Sequence, residues 1–169
     1  MANLAHVRLL QSGVPAWNAW REANPQVRPD LNDASLETGV EYTGARFDNA
    51  DLFNVNFSRC RIRSCNFSGA NLIWTTFDHA TIADSPFTDA DLRCANFVSA
   101  NIVRCNLSRT NLSQSNLLFA TVRDCDMTDT KICDATLAAR GNSKSRRKRT
   151  ISRPIRGYPN PQPGLRNAL

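Results

Sequence analysis

Cysteine and histidine are the side chains of this sequence that could support the most specific chemistry, and the chain holds six cysteines and two histidines. Thiolates and imidazoles bind zinc at short fixed spacings, and cysteines pair as disulfides in oxidising compartments. No spacing here matches a zinc site, and Cys60, Cys65, Cys105 and Cys125 fall where small apolar residues recur. We therefore expect buried free thiols, no metal or other cofactor, and a reducing, cytoplasmic location.

Acid–base chemistry has equally little support in the sequence. His79 falls at an outward position without a triad partner, as expected for a solvated surface histidine. Asp78, Asp84, Asp89 and Asp91 are close in sequence, but the repeat described below spreads them over different sides of the fold. No phosphate-binding glycine loop occurs. We expect no enzymatic activity and no small-molecule substrate.

Basic residues are concentrated at the C-terminal end of the sequence. Nine of the 21 lysines and arginines, and none of the 15 acidic residues, lie in residues 140–169, so this tail carries +9 and the remainder −3. The run SKSRRKR is of a kind that attracts nucleic acid, an acidic membrane or an acidic protein. A plain solvated tail is the alternative, and charge and proline content predict disorder. The residues expected to bind an anion are Arg146, Arg147, Lys148 and Arg149.

A period of five organises the chain from Val40 to Leu137. Every fifth residue from Tyr42 is apolar, and a small residue stands two positions before it, as in Ala70-Asn71-Leu72. Neither a helix nor a flat strand gives this period, and strict repetition indicates a stacked array.

A second period, of twenty, sorts the apolar positions into four columns. Like residues recur within each column, as in Ile62, Ile82 and Ile102, and four-sided coils would produce this match. Two phenylalanine columns are expected to face each other in the upper coils, and at strand spacing such stacked side chains can fill a core. These two columns are Phe47, Phe67, Phe87, Leu107, Met127 and Phe57, Phe77, Phe97, Leu117, Leu137.

The five-residue word A(D/N)LXX resembles that of the pentapeptide-repeat family throughout residues 40–137. The resemblance implies an all-β fold, a right-handed quadrilateral β-helix with one pentad per side and four pentads per coil. The column pattern supports four sides independently.

The ends and irregularities of the array divide the chain into three predicted parts. Residues 1–28 are expected to form a short helical N-terminal cap, with Trp17 and Trp20 over the first coil, although the two tryptophans could instead bind a partner. Residues 29–139 form the solenoid, and residues 140–169 the tail. The first coil must absorb one extra residue near Gly39.

Proline at position 86 interrupts the repeat differently, because proline cannot donate to a ladder of hydrogen bonds. We expect a corner, an unpaired amide position or a local break there.

Large apolar side chains at outward positions are the candidate partner-binding residues. One group follows the Leu52 and Leu72 positions and a second lies on the neighbouring side, and such exposed clusters often mark contact sites. The alternative is that a cap or the tail folds over them. The two groups are Phe53, Ile73 and Trp74, and Leu118 and Phe119.

These observations favour a non-catalytic scaffold that binds an unidentified protein partner. Family analogy supplies an alternative, since some relatives resemble B-form DNA, bind DNA gyrase and protect it from quinolones. The mild acidity of the repeat region argues against that role here. Association of the tail with an anionic partner is a third hypothesis. An open C-terminal end favours either a homodimer through that end of the solenoid or a cap made by the tail.

Overall fold

The computed structural model describes residues 2–136. Two short helices precede a single sheet of five parallel strands, whose order follows the sequence. The elements are α1 Leu4–Gln11, α2 Val14–Ala23, β1 Glu41–Thr43, β2 Arg61–Arg63, β3 Thr81–Ala83, β4 Asn101–Val103 and β5 Thr121–Arg123.

The strands pair in a constant register of twenty residues. Ile62 lies opposite Tyr42 on one side and Ile82 on the other, and Ile82 lies opposite Ile102. Parallel bridges join the other three sides with the same offset, except for the first, which pairs Asp30 with Asp51. Beyond that bridge the backbone completes one coil every twenty residues. The stacking predicted for the isoleucines is therefore confirmed.

Each coil has four faces, which we number in chain order by their inward residues. In the coil that begins at residue 60, Ile62 belongs to face 1, Phe67 to face 2, Leu72 to face 3 and Phe77 to face 4, and all four are fully buried. Residues 40–119 complete four coils, and the described residues end within the fifth coil. The predicted four-sided parallel solenoid with a helical N-terminal cap is confirmed.

The two phenylalanine columns form the centre of the core. The ring of Phe67 stacks on those of Phe47 and Phe87 at centroid distances of 5.0 and 4.7 Å. The rings of faces 2 and 4 meet edge to face, as Phe67 and Phe77 do at 6.3 Å. Both geometries are favourable for aromatic pairs, so the columns fill the coil without gaps.

The residue two positions after each inward side chain turns the corner of the coil. Among residues 2–136, eighteen non-glycine residues have positive φ, between 51° and 62°. Asparagine and aspartate tolerate this left-handed conformation best, whereas bulky residues adopt it rarely. An Asn or Asp before the inward residue also closes the turn, as where Oδ1 of Asn56 accepts a hydrogen bond from Ser58 N at 2.9 Å. The A(D/N)L word thus encodes the turn as well as the core.

The first coil contains the one extra residue that the sequence predicts. Asp33 N donates to Phe53 O, twenty positions further along the chain. At a regular corner the offset is nineteen, as where Asn54 N donates to Ile73 O. The regular offset returns at Gly39, whose amide donates to Ser58 O and whose φ of 75° matches the corner column. The additional residue is therefore taken up before Gly39, which is an ordinary corner rather than a bulge.

Pro86 lies within face 2 without breaking it. Its carbonyl accepts from Phe67 N at 2.8 Å, and Phe87 N donates to Asn106 O at 2.7 Å. Asn66 occupies the position equivalent to Pro86 one coil earlier, and its N–H donates to a carbonyl of the preceding coil. Proline has no N–H and cannot make this bond. The predicted loss of an amide thus removes one hydrogen bond only.

The two helices close the N-terminal end of the solenoid, as predicted. Asn3 caps α1 through its side chain, and Pro15 lies in the first turn of α2. Trp17 is fully buried 5.9 Å from the Phe47 ring, and its Nε1 donates to Arg46 O. Trp20 is half-buried beside Trp17, so both tryptophans belong to the cap. No helix within residues 2–136 has the length and apolarity needed to cross a membrane.

Candidate interaction surface

Corner positions carry the two most exposed aromatic side chains of the repeat region. Trp74 and Phe119 have φ near 60°, and their residues are 58% and 52% exposed. A left-handed corner directs the Cβ away from the coil, so a large side chain there cannot join the core. Both positions pair a bulky residue with a rare backbone conformation and leave apolar area in water.

The structure places Trp74 and Phe119 at opposite edges of one face. Trp74 lies at the corner where face 3 passes into face 4, and Phe119 at the corner where face 4 ends. They are about two coils apart along the axis, or roughly 10 Å at strand spacing. The face between them is face 4, which consists of residues 56–59, 76–79, 96–99 and 116–119.

The other three candidate residues are half-buried rather than exposed. Phe53 and Ile73 occupy equivalent positions in successive coils of face 3, next to the Trp74 corner. Leu118 lies on face 4 beside Phe119, one coil beyond Val98. The sequence grouped Trp74 with Phe53 and Ile73, and the Trp74 side chain also lines a groove that runs along the edge between faces 3 and 4.

This groove is shallow, open and lined by amides and hydroxyls. Its volume is about 630 Å³, and no carboxylate, histidine, lysine or arginine lines it. Cys94 Sγ lies 3.5 Å from Gln114 Oε1 within it. The lining residues are Asn54, Trp74, Thr76, Cys94, Asn96, Gln114 and Asn116.

Asparagines on face 4 present hydrogen-bond donors to solvent. Oδ1 of Asn96 accepts from Val98 N, and Oδ1 of Asn116 accepts from Leu118 N, both at 3.1 Å. Within residues 2–136, their Nδ2 groups make no hydrogen bond. The two side chains lie one coil apart, so face 4 offers a row of donors at intervals of about 4.8 Å.

Charge is sparse on face 4 and frequent on the other faces. Among the face 4 residues, Arg59, Asp78 and His79 are ionisable, and His79 Nε2 lies 3.9 Å from Asp78 Oδ1. The corners next to faces 1 and 2 instead carry arginine–aspartate pairs one coil apart. Their closest N–O distances are 2.6 Å for Arg104 with Asp84 and 2.7 Å for Arg109 with Asp89.

These corner pairs hold their carboxylates ionised. The hydrogen bond from Arg104 lowers the pKa of Asp84, and the hydrogen bond from Arg109 does the same for Asp89. Asp91 is paired within its own pentad with Arg93 at 2.8 Å. Asp84, Asp89 and Asp91 therefore each belong to a separate ion pair.

The cysteines are free thiols, and four of them are buried as the repeat predicted. The buried thiols are Cys60, Cys65, Cys105 and Cys125, whereas Cys94 is half-buried and Cys133 exposed. Burial raises the pKa of Cys65 to about 11. Contact with the Cys125 side chain, together with burial, raises the pKa of Cys105. No group of three potential metal ligands occurs within the described part of the chain.

Sequence reasoning missed a buried arginine that joins the cap to the solenoid. Arg21 donates to Asp48 Oδ2 at 2.8 Å, to Asp48 O at 2.8 Å and to Val27 O at 3.0 Å. Its position four residues after Trp17 on α2 was a usable signal, because residues four apart share a helix face. Arg21 also lines a second cleft, of about 480 Å³, between the cap and the first coils.

The predicted anion-binding residues Arg146, Arg147, Lys148 and Arg149 lie outside the described residues, as do residues 137–139, the last of the predicted solenoid. Their role stays a prediction.

The fold and its repeated corners define a class of protein, the four-sided parallel β-solenoid built from five-residue units. A family model described as a pentapeptide repeat region matches residues 40–117. Residues 40–117 therefore match the pentapeptide-repeat family, as the five-residue motif predicted. No curated protein matches it.

Solved structures of the same kind are similar to parts of the chain. A pentapeptide repeat protein from the Arabidopsis thaliana thylakoid lumen is 28% identical, with 57% of this chain and 64% of that chain covered and a TM-score of 0.46. HetL, described as involved in heterocyst differentiation regulation in the cyanobacterium Nostoc sp. strain PCC 7120, is 19% identical, with 60% and 57% covered and a TM-score of 0.41. The chain spans less than two thirds of the length of both proteins.

QnrB1, a plasmid-mediated fluoroquinolone resistance protein, is also among the matches. Its full-length structure is 18% identical, with 57% of this chain and 76% of that chain covered and a TM-score of 0.19.

Proposed function

We propose that the chain is a non-catalytic scaffold that binds a protein partner through face 4. The observation that carries the proposal is the exposure of Trp74 and Phe119 at opposite edges of a face with few charges. Interface cores are enriched in aromatic residues and depleted of charged ones, and tryptophan is frequent among the residues that dominate binding energy.

The rigid backbone of the solenoid supports this role. The inward residues Phe57, Phe77 and Phe97 behind face 4 are buried, and the rings of Phe77 and Phe97 stack at 4.9 Å. A face built on stacked rings and parallel bridges is ordered before binding, so little conformational entropy is lost when a partner docks. Donors at Asn96 and Asn116 would then fix the partner's register.

An enzymatic role has weaker support. The coil interior is filled by stacked side chains, and the groove beside Trp74 contains neither a carboxylate nor an imidazole for acid–base work. A binding surface uses the same features without needing a reactive group.

The gyrase alternative is not favoured by the charge distribution. A mimic of DNA needs uncompensated negative charge along the rod, but Asp84, Asp89 and Asp91 are each paired with an arginine. It stays a prediction that a supercoiling assay tests, and inhibition or protection of purified gyrase by this protein would support it.

The cytoplasmic location and the homodimer also remain proposals. Free thiols at six cysteines are consistent with a reducing compartment. A dimer through the C-terminal end would involve residues beyond 136, and sedimentation at several protein concentrations tests it.

Affinity capture followed by reconstitution with the purified partner tests the scaffold proposal. Trp74→Ala and Phe119→Ala should each raise the Kd by about tenfold or more, as expected for exposed aromatic anchors. Ser64→Ala is the matched control, because Ser64 occupies the diagonally opposite corner of the same coil and also has positive φ. The control should change the Kd less than about twofold. Equal effects of all three substitutions, or no partner that depends on Trp74 or Phe119, would refute the proposal.

A further inference from the structure

The chain leaves the described structure on face 4 itself. Thr136 N donates to Ser115 O, and Thr136 O accepts from Leu117 N, both at 2.9 Å. Thr136 therefore continues the outward row of Thr76, Asn96 and Asn116, one coil below Asn116. Residues 137–169 follow directly from this row.

The reach of these residues is sufficient to cover the whole face. Three coils separate Thr136 from Thr76, next to Trp74, a distance of about 14 Å at strand spacing. An extended proline-rich chain rises about 3.1 Å per residue, so even a handful of residues spans it. A segment tethered this closely has an effective local concentration on the order of millimolar.

The chemistry of residues 150–164 fits the groove on face 4. This segment reads TISRPIRGYPNPQPG, with prolines at four positions and apolar Ile151, Ile155 and Tyr158 between them. Proline-rich segments are recognised by grooves that combine aromatic rings with hydrogen-bond donors, since their carbonyls remain free. Trp74 supplies the ring, and Asn96 and Asn116 supply donors without an acceptor among the described residues.

Charge favours the same placement of the preceding residues. The run at 144–149 is strongly basic and would pass the last coil before reaching the groove. Residues 120–136 of this coil carry four aspartates, of which Asp124, Asp129 and Asp134 are exposed at corners, against two basic residues, Arg123 and Lys131, so the coil has a net charge of −2. Opposite charges there would hold the base of the segment near the solenoid while the neutral groove accepts the proline-rich part.

We propose that residues 150–164 of the same chain occupy the groove at the Trp74 edge of face 4 and compete there with the partner. The inference deepens the proposed function, on which its regulatory meaning rests, because it names what covers the same face when no partner is bound. Binding of the partner then requires displacement of this segment. The apparent affinity of the partner is therefore its intrinsic affinity multiplied by the fraction of molecules in which the groove is uncovered.

Site-specific photo-cross-linking of the full chain tests this contact. Trp74 is replaced by p-benzoylphenylalanine, which keeps an aromatic group in the groove, and Ser64 is replaced likewise as the control on the opposite corner. Irradiation should join position 74 to residues 150–164 with a yield at least about ten times that from position 64. Equal yields from both positions, or no cross-link from position 74 to this segment, would overturn the inference.

Mixing isotopically heavy and light protein separates the possible sources of the cross-link. Cross-links within one chain support the proposal, whereas heavy–light products that grow with concentration would assign the groove to a second copy and overturn it. The double substitution Ile155→Asp with Tyr158→Asp should reduce the cross-link at least about fivefold.

The same variant separates this inference from the scaffold proposal. If the double substitution removes the cross-link and tightens partner binding, both stand. If position 74 forms no cross-link but partner binding still depends on Trp74, the scaffold proposal stands and the covering segment is wrong. If the cross-link forms and no partner depends on Trp74 or Phe119, the contact stands and the scaffold proposal fails.

Discussion

Truncation of Phe67 to alanine should destabilise the solenoid by about 3–5 kcal/mol. The Phe67 side chain is fully buried, and its ring contacts four others. Two contacts are stacked, at 5.0 Å to Phe47 and 4.7 Å to Phe87, and two are edge-to-face, at 6.1 Å to Phe57 and 6.3 Å to Phe77. A cavity in the middle of a stacked column cannot be closed by either neighbouring coil, because parallel bridges fix their spacing.

The pairwise part of this cost can be isolated by a double-mutant cycle. Phe67 and Phe87 stack with an interplanar angle of 7°, and such a pair contributes about 0.5–1.5 kcal/mol beyond burial. Phe67→Leu is the matched control, because Leu107 occupies the same column and is buried. It should cost less than about 1.5 kcal/mol.

Urea denaturation followed by far-ultraviolet circular dichroism measures these differences. Phe119→Ala provides the second control, since an exposed ring should change the free energy of unfolding by no more than about 0.5 kcal/mol. A cost below about 1 kcal/mol for Phe67→Ala, or one equal to that of Phe119→Ala, would refute the filled core.

Three further predictions concern the cap, the thiols and the corner ion pairs. Arg21→Ala should destabilise the protein by about 3–5 kcal/mol in urea denaturation, because its side chain is 4% exposed and bonded to the solenoid, whereas Arg28→Ala, 61% exposed, should have an effect near zero. Equal effects would contradict the docking of the cap. With Ellman's reagent at pH 8, the two accessible thiols, Cys94 and Cys133, should react first, and the four buried ones only on unfolding, since the pKa of Cys65 is about 11. Rapid reaction of all six thiols in the native protein would disprove their burial. The hydrogen bond from Arg104 lowers the pKa of Asp84, so the stabilisation that Asp84 provides relative to Asp84→Asn is present above the ordinary carboxyl pKa of about 3.9 and is lost as pH falls through the lower folded value. Thermal denaturation of both proteins from pH 7 to pH 2 measures this, and a difference that grows on acidification would have the wrong sign.

The coil itself could be predicted because its information is local and repeated. A five-residue word sets the corner, and its recurrence at twenty sets the column, so the register of Ile62 with Ile82 followed from spacing alone. The exposure of Trp74 and Phe119 followed from the same count. The spacing also predicted the extra residue near Gly39, and the structure places it between the corners at Asp33 and Gly39, although Gly39 itself is a corner and not a bulge.

The contacts between the cap and the solenoid could not be predicted in this way. Arg21 reaches Asp48 across 27 residues, and no repeat relates the two positions. The groove beside Trp74 was also missed, because the sequence assigns a corner residue to the face before it, whereas the ring also borders the face after it. The face that a corner side chain covers depends on the orientation of that side chain, and the five-residue spacing does not encode this orientation.

Hydroxyl-radical footprinting of the free and partner-bound protein tests face 4 as the docking surface most directly. The oxidation rates of Trp74 and Phe119 should both fall at least about fivefold on binding, because each ring is more than half exposed in the free structure. Leu4 and Val27, exposed at 69% and 41% on the cap, should keep their rates. Protection of Leu4 and Val27 with unchanged rates at Trp74 and Phe119 would contradict the proposed function.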